Sequence, residues 1–540
     1  MKFTHLALAL AGLAACTWHV RGDDPASPQN GQQQNWHQWR GPEATGVAPL
    51  GNPPVEWSEE KNIKWKVEVP GSGDSSPIVW GDQVFVLTAI KTDRKADPPK
   101  PAADAKPAAP AADQAKPDAP KPDEAKAESP KTDPAKSDAP KSDAPKSDAA
   151  KTDAPKSDAP KSPTDRPGFV RPGSDRPGFG RGGDRPGGFG GGRGGGFMRT
   201  STPTNYYEFV VISYDRNTGK ERWRQIAAEA VPHEGHHPDG SFASSSAMTD
   251  GQRIYASFGS RGVFCYDLAG KPLWKRDLGR MQIYNSFGEG TSPVIVGDSL
   301  VVNWDHQGDS FLYCLDAKTG EIRWKVPRDQ QTTWATPLVV EHKGRTQVII
   351  NGSKRTRSYD LKNGDLIWEC GGQVASCIPC PVALDGVVYC MTGFRGSALL
   401  AIPLDAAGDI TDTDKVAWKK DQGTPYVPSP LLYGDMLYFN GSNSSALSCL
   451  NARTGEPVFD RQRIPGLSNI YASPVGAADR VYYTGRDGVT VVLKRGEEME
   501  VLATNKLAER VDASAAIAGN QLFMRGDKSL YCFQEASRGE

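Results

Sequence analysis

Leu315-Asp316-Ala317-Lys318-Thr319-Gly320, with Trp324 after it, repeats a phrase already present as Tyr214-Asp215-Arg216-Asn217-Thr218-Gly219 with Trp223. Weaker copies run from Asp267 and Gly270 to Trp274, from Asp360 and Gly364 to Trp368, from Asp405 to Trp418, and from Asn451, Thr454 and Gly455 to Phe459. A phrase returning about every 45 residues marks a repeat architecture. In each copy the Asp-x-x-Thr-Gly stretch lies between β-rich runs, as at 210–214 and 222–225. Aspartate can bond its own backbone two residues on, and glycine supplies the positive φ of a tight turn, so the phrase reads as a hairpin. A second hairpin precedes it in most units, at 78–86, 294–302 and 431–438. Two hairpins make one four-stranded antiparallel sheet.

Such a sheet cannot bury both faces alone, and a ring of them around an axis solves that problem. First strands open on Ser75-Ser76-Pro77, Ser245-Ser246-Ala247, Thr291-Ser292-Pro293, Ala335-Thr336-Pro337, Pro379-Cys380-Pro381, Pro428-Ser429-Pro430, Ala472-Ser473-Pro474 and Ala513-Ser514-Ala515. These openings predict an all-β, eight-bladed β-propeller of four-stranded antiparallel blades. The last unit stops at 530–533 without an outer strand, and 63–67 is an outer strand without a blade. The two ends are expected to share one blade and close the ring. The recurring Trp is read as packing in the wedge between blades, where an aromatic buries roughly 150–250 Å².

The Asp-x-x-Thr-Gly-x-x-x-Trp phrase resembles the pyrroloquinoline-quinone (PQQ) type repeat. That repeat builds the propellers of quinoprotein alcohol dehydrogenases and of the outer-membrane assembly lipoprotein BamB. The likeness covers 56–90 and 205–533. Trp36-His37-Gln38-Trp39-Arg40-Gly41-Pro42, inside an N-terminal extension at 23–55, also looks like the Trp-x-Gln-Trp-Arg-Gly-Pro opening of secreted propellers from planctomycete-type bacteria. The dehydrogenases typically carry adjacent cysteines over the quinone, and many add Cys-x-x-Cys-His for haem; this chain has neither. Their calcium ligands and catalytic Asp have no matching positions here, so none of their residues is carried over. The resemblance implies a BamB-like binding or scaffolding module, leaning away from an enzyme. The alternative is a dehydrogenase dependent on PQQ and calcium, and a third reading is binding of a carbohydrate or peptide in the funnel without chemistry. A floor Trp facing a cavity ringed by Asn, Asp, Glu and Arg would favour the enzyme; a funnel filled by side chains would exclude it.

Within the 540 residues, 1–22 reads as a signal peptide, with a charged start and a short apolar core. Leu13-Ala14-Ala15-Cys16 fits a lipobox with Cys16 as acylation site, and ordinary cleavage near Val20-Arg21-Gly22 fits as well. The expected address is the periplasm or cell envelope, with a lipid anchor as the one route to a membrane. Residues 91–204 turn to Lys-Ser-Asp-Ala-Pro and then Arg-Pro-Gly-Phe and Arg-Gly-Gly phrases, with no apolar face from which to build a core. They read as a disordered insertion in the first blade, a spacer rather than a nucleic-acid arm given the net charge of −1. Residues 534–540 form a tail, and the protein is expected to be a monomer with an envelope protein or extracellular ligand as partner.

In a four-stranded meander the second-to-third turn and the blade-to-blade connection share one face of the ring. The insertion, the connection carrying His233, His236 and His237, and the turn carrying Asp305 and His306 all fall there. Imidazole and carboxylate are donors suited to zinc or copper, so these five are the ligand and metal candidates, although the histidine spacing matches no tetrahedral motif and clustered histidines in such a connection are more often a solvated turn. Cys377-Ile378-Pro379-Cys380 opens the fifth blade and is read as a local disulfide. Cys265, Cys314, Cys449 and Cys532 recur at one strand position, too far apart to bridge, and read as buried free thiols.

Overall fold

The computed structural model describes residues 28–97 and 200–536, all within one unit of the chain. The signal peptide, its Cys16, most of the insertion and residues 537–540 lie outside the described residues. The described strands form eight antiparallel sheets arranged as an eight-bladed propeller. Blade 1 is Ile78–Trp80, Gln83–Lys95, Asn205–Asp215 and Glu221–Ala230. Blade 8 takes Ala516–Ala518, Gln521–Arg525 and Ser529–Phe533 from the end of the chain and Ile63–Glu68 from its beginning. The two ends pair antiparallel, Trp65 opposite Cys532 and Val67 opposite Leu530, so ring closure follows the expected scheme.

Burial follows from position in the blade. Middle strands are covered on both faces, as in the wholly buried Ser299–Trp304, whereas the outer strand Ile322–Arg328 is exposed or half-buried up to its last residue, the buried Arg328. The motif turns behave as their chemistry demands. Asp316 Oδ1 accepts from the backbone N–H of Lys318 and Thr319, both at 2.9 Å, and Gly320 adopts φ 70°. Arg323 reaches back to the Asp316 carboxylate at 2.6 Å, and its hydrogen bond pulls the Asp316 pKa down to about 2. Arg222 does the same for Asp215, also at about 2.

Each turn also receives the Trp of the preceding blade. Trp274 Nε1 donates to Ala317 O at 3.0 Å, and a Cβ on Gly320 would stand 2.5 Å from the indole ring. The same pairing joins Trp65 to Arg216 O and Gly219, Trp223 to Leu268 O and Gly270, Trp324 to Leu361 O and Gly364, and Trp418 to Ala452 O and Gly455. Glycine is therefore required twice at one position, for its φ and for the space the ring occupies. Across its own sheet the Trp faces a small residue: Cys532 opposite Trp65, Ser213 opposite Trp223, Cys265 opposite Trp274, Cys314 opposite Trp324, Ala401 opposite Trp418. The recurring cysteines are free and buried, as expected, and this pairing is why that position takes Cys, Ser or Ala.

Two elements depart from the expected scheme. The second strand of blade 1 runs on to Lys95, which pairs with Asn205, so 91–95 is sheet rather than insertion. In blade 5 the motif turn is replaced by an excursion whose Gly408–Asp409 pairs parallel with Trp368 and Glu369 and makes blade 4 five-stranded. Trp368 therefore meets no turn glycine; its Nε1 donates to Gln347 Oε1 at 3.2 Å, and Leu404, Ala406 and Ile410 cover it.

Gly320→Ala is expected to cost about 3–5 kcal/mol, from left-handed strain plus displacement of Trp274. Gly344→Ala, at φ 76° with nothing within 4 Å of the new Cβ, carries only the strain of about 1–2 kcal/mol. Urea unfolding of the two variants checks this, and equal losses would remove the indole from the explanation.

Because Asp215 and Asp316 have folded pKa values below their unfolded ones, the stability they contribute is complete above about pH 4 and lost as pH falls toward 2. Asn451 builds the same turn without charge, accepting from Arg453 N at 2.9 Å and Thr454 N at 3.2 Å. Asp215→Asn/Asp316→Asn is thus expected to keep the fold and flatten the decline of the urea midpoint between pH 4 and 2; an unchanged acid limb would contradict the assignment.

Candidate functional site

The openings of the first strands form a belt around the axis. In seven of the eight blades the residue two positions before the inner strand turns its Oγ or Sγ toward the backbone of the preceding blade. Ser76 N donates to Ser246 Oγ at 3.0 Å, Ser246 N to Ser292 Oγ at 2.9 Å and Ser292 N to Thr336 Oγ1 at 3.2 Å. Thr336 N donates to Cys380 Sγ at 3.3 Å, Cys380 N to Ser429 Oγ at 3.0 Å, Ser429 N to Ser473 Oγ at 2.9 Å and Ser473 N to Ser514 Oγ at 2.8 Å. At the joint between blades 8 and 1, the buried Arg525 donates to Ser75 Oγ at 3.0 Å and to Leu87 O. The belt satisfies backbone N–H groups that would otherwise be stranded beside the axis.

On the side of the first-hairpin turns, the N-terminal motif plugs the axis. Trp36 pairs with Val79 of blade 1, His37 O accepts from Thr249 N of blade 2 at 2.9 Å, and Gly46 O accepts from Gly476 N of blade 7 at 2.9 Å. The Arg40 side chain, 2% exposed, donates to Pro474 O at 2.7 Å and Pro430 O at 2.8 Å, and burial draws its pKa down to about 10. Trp39 Nε1 donates to Cys380 Sγ at 3.2 Å and puts the indole at the floor of the space beyond the belt.

That space is a cavity of about 400 Å³ on the connection face. Its wall holds the rings of Tyr284, Phe287, Trp334, Phe394, Tyr426 and Tyr471, with Phe394 and Tyr426 stacked at 4.8 Å. Three carboxylates line it, Asp74, Asp239 and Asp512, and no lysine or arginine among the described residues does. Arg486 bonds Asp239 at 2.7 Å and Asp512 at 2.8 Å and lies 4.0 Å over Tyr471, whose hydroxyl donates to Asp239 at 3.2 Å. Asp239 belongs to the connection after blade 1 and Arg486 to blade 7, so this network ties the connection across the last joint of the ring.

The five expected ligand residues are not brought together, and among the described residues there is no group of three or more His, Cys, Asp or Glu placed to hold a metal. His233 Nε2–H donates to Met281 O at 2.7 Å while its Nδ1 accepts from Arg261 at 3.1 Å. His236 Nδ1–H donates to the His237 carbonyl at 2.8 Å, and His237 Nδ1 accepts from Asp239 N at 3.1 Å. His306 Nε2–H donates to Asp309 O at 2.9 Å, its Nδ1 accepts from Gln282 N and Gly308 N, and burial lowers its pKa. Asp305 is buried in a two-pronged ion pair with Arg328, at 2.7 and 3.0 Å, and accepts from Thr333. Of the five only His237 lines the cavity. Cys377 and Cys380 are free thiols rather than the expected disulfide, because Cys380 stands in the belt where other blades have Ser or Thr and its Sγ is held by Thr336 N and Trp39 Nε1.

A floor Trp is present, yet the wall differs from the one that would favour the enzyme. PQQ is a tricarboxylate, and among the described residues no lysine or arginine lines the cavity to pair with its carboxylates. A calcium ion needs six to eight oxygens, and the described residues offer no cluster of acids to supply them. The residues present do not fit the quinone and its cation.

Residues 208–375 match the family model described as outer membrane protein assembly factor BamB. No curated protein matches the chain. Among solved structures, BamB from Moraxella catarrhalis is 15% identical, with a TM-score of 0.42 over 61% of this chain and 90% of that one. Quinohemoprotein alcohol dehydrogenase from Comamonas testosteroni is 10% identical, with a TM-score of 0.44 over 62% of this chain and 74% of that one. The computationally designed Ika8 protein is 11% identical, with a TM-score of 0.42 over 62% of this chain and 94% of that one. With its turn phrase and its eight blades, this chain is an eight-bladed β-propeller whose residues 208–375 match the BamB family model.

Proposed function

We propose that this chain is an exported binding module of the periplasm or cell envelope, in which the propeller offers its axial cavity to a ligand or partner at the connection face. The cavity carries the reading. At about 400 Å³ it falls in the size range of small-molecule sites, and it is preformed, with its rim fixed by the belt and its floor by the plug. Its groups are suited to holding rather than reacting. Two of its three carboxylates are spent on Arg486, and none of the serines, threonines or cysteines that line it hydrogen-bonds to a histidine. The signal-like start of the sequence supports export. No helix among the described residues is long and apolar enough to cross a membrane. A scaffolding role of the BamB kind rests on the matched family model.

The test is tryptophan fluorescence, since Trp39 and Trp334 both line the cavity. The signal-less chain is titrated with a panel of small oligosaccharides, short peptides and organic ions, and with PQQ in the presence and absence of calcium. At least one panel member is expected to quench saturably, with affinity at least tenfold weaker in a folded Trp334→Leu variant. PQQ is expected to give no calcium-dependent saturation and no dye-linked alcohol oxidation. Quenching that survives Trp334→Leu would move the site elsewhere, and quinone turnover would replace the binding module by a dehydrogenase.

A further inference from the structure

We infer that the ligand of the axial cavity is an organic ammonium cation. The inference rests on the reading of the cavity as a ligand site and goes beyond it by naming the chemistry that site selects. Charge gives the first argument. The three acidic residues of the wall are not equivalent, because Asp239 and Asp512 are neutralised by Arg486, and Arg510 also reaches both. Asp74 forms no salt bridge among the described residues; the contacts made to it are hydroxyls, with Ser244 Oγ 3.5 Å from its Oδ2 and Ser241 Oγ accepting from its backbone N–H at 3.1 Å. Arg525, the nearest buried cation of that joint, spends its donors on Ser75 Oγ and Leu87 O. Desolvation raises the Asp74 pKa even though the Ser241 hydrogen bond and the charges of Arg525 and Arg510 act against it, because neither arginine contacts the carboxylate directly. A bound cation would supply that direct contact.

Aromatic faces give the second argument. Six rings of the wall and the Trp39 indole surround a space that no lysine or arginine among the described residues lines. An aromatic face carries negative electrostatic potential, and it attracts an alkylammonium group more strongly as water is excluded. The molecule already uses this interaction within the wall, where the Arg486 guanidinium lies 4.0 Å over Tyr471. Rings alone would also accept a neutral apolar ligand. Rings together with an unpaired carboxylate select the positive one, and they reject the anionic quinone for the same reason.

The probes are choline and tetramethylammonium, with 3,3-dimethylbutan-1-ol as the uncharged isostere of choline, titrated into the full mature chain at constant ionic strength. Tryptophan emission and calorimetry are the readouts. Saturable binding of choline at least tenfold tighter than its isostere is expected. Asp74→Asn, which keeps the shape and hydrogen-bonding capacity of the side chain, is expected to weaken choline about tenfold and leave the isostere unchanged. Tyr426→Leu is expected to weaken choline while leaving the melting temperature near that of the parent, and it stands in if Asp74→Asn does not fold. Equal binding of choline and the isostere overturns the cation assignment and leaves the cavity reading in place. Failure of both cations to bind while a sugar or peptide quenches through Trp334 also overturns the assignment alone. Silence of every probe and of the whole panel removes the cavity reading with it.

Discussion

The indole of one blade resting on the turn glycine of the next is the contact on which this ring depends. A blade of four short strands is marginal by itself, so the free energy of the fold lies in the joints. At five joints the joint is the same composite: an indole N–H bonded to the carbonyl after the Asx residue, and a ring laid on a glycine that lacks a side chain. The Asp that shapes the turn thereby also positions the carbonyl that receives the Trp. Turn chemistry and blade stacking are one constraint, which is why Asp, Gly and Trp recur as a phrase rather than separately. Where the phrase is worn, the chain substitutes bulk for geometry, as around Trp368, where the excursion of blade 5 folds back to cover the ring.

Near the axis a different constraint rules. Eight inner strands begin close together, and their first N–H groups point at neighbours rather than at water. Serine and threonine answer this with a hydroxyl that accepts from one blade while their own backbone donates to the next. Cys380 shows how far the rule bends: sulfur is a weaker acceptor than a hydroxyl oxygen, and here it is shared between Thr336 N and Trp39 Nε1. The joint between the first and last blades is tied by Arg525 instead, and it is also where the carboxylates of the cavity wall gather.

What the sequence disclosed and what it hid separate along the same line. The number of blades, their strand order and the closure of Ile63–Glu68 onto Ser529–Phe533 were legible because every blade repeats the same local chemistry. The plug was not, because 36–48 has no period and its partners are remote: Arg40 and Pro474 are 434 residues apart. The belt was half legible. Pro379-Cys380-Pro381 stood in the series of blade openings, and placing Cys380 in that series argues against a disulfide to Cys377, whereas the Cys-x-x-Cys spacing taken alone argues for one. The histidines misled for a related reason. His233 and His306 resemble ligands in composition, but each ring spends both nitrogens on the backbone or on Arg261, fixing loops whose partners lie in other blades.

The cavity wall was hidden for a reason that bears on how such a propeller acquires a ligand. Trp–glycine joints and belt hydroxyls occupy the positions the repeat prescribes, so those positions cannot vary without loosening a joint. Connections and second-to-third turns take no part in the repeated joints, and their residues are free to differ from blade to blade. The cavity is built largely from that unconstrained material, with Tyr284, Phe287 and Asp239 on connections, Phe394 on a turn, and Trp39 on the plug. The repeated part of the chain thus supplies a rigid annulus and the unrepeated part supplies its chemistry. Family resemblance carried by the repeat consequently fixes the annulus and says little about what it holds.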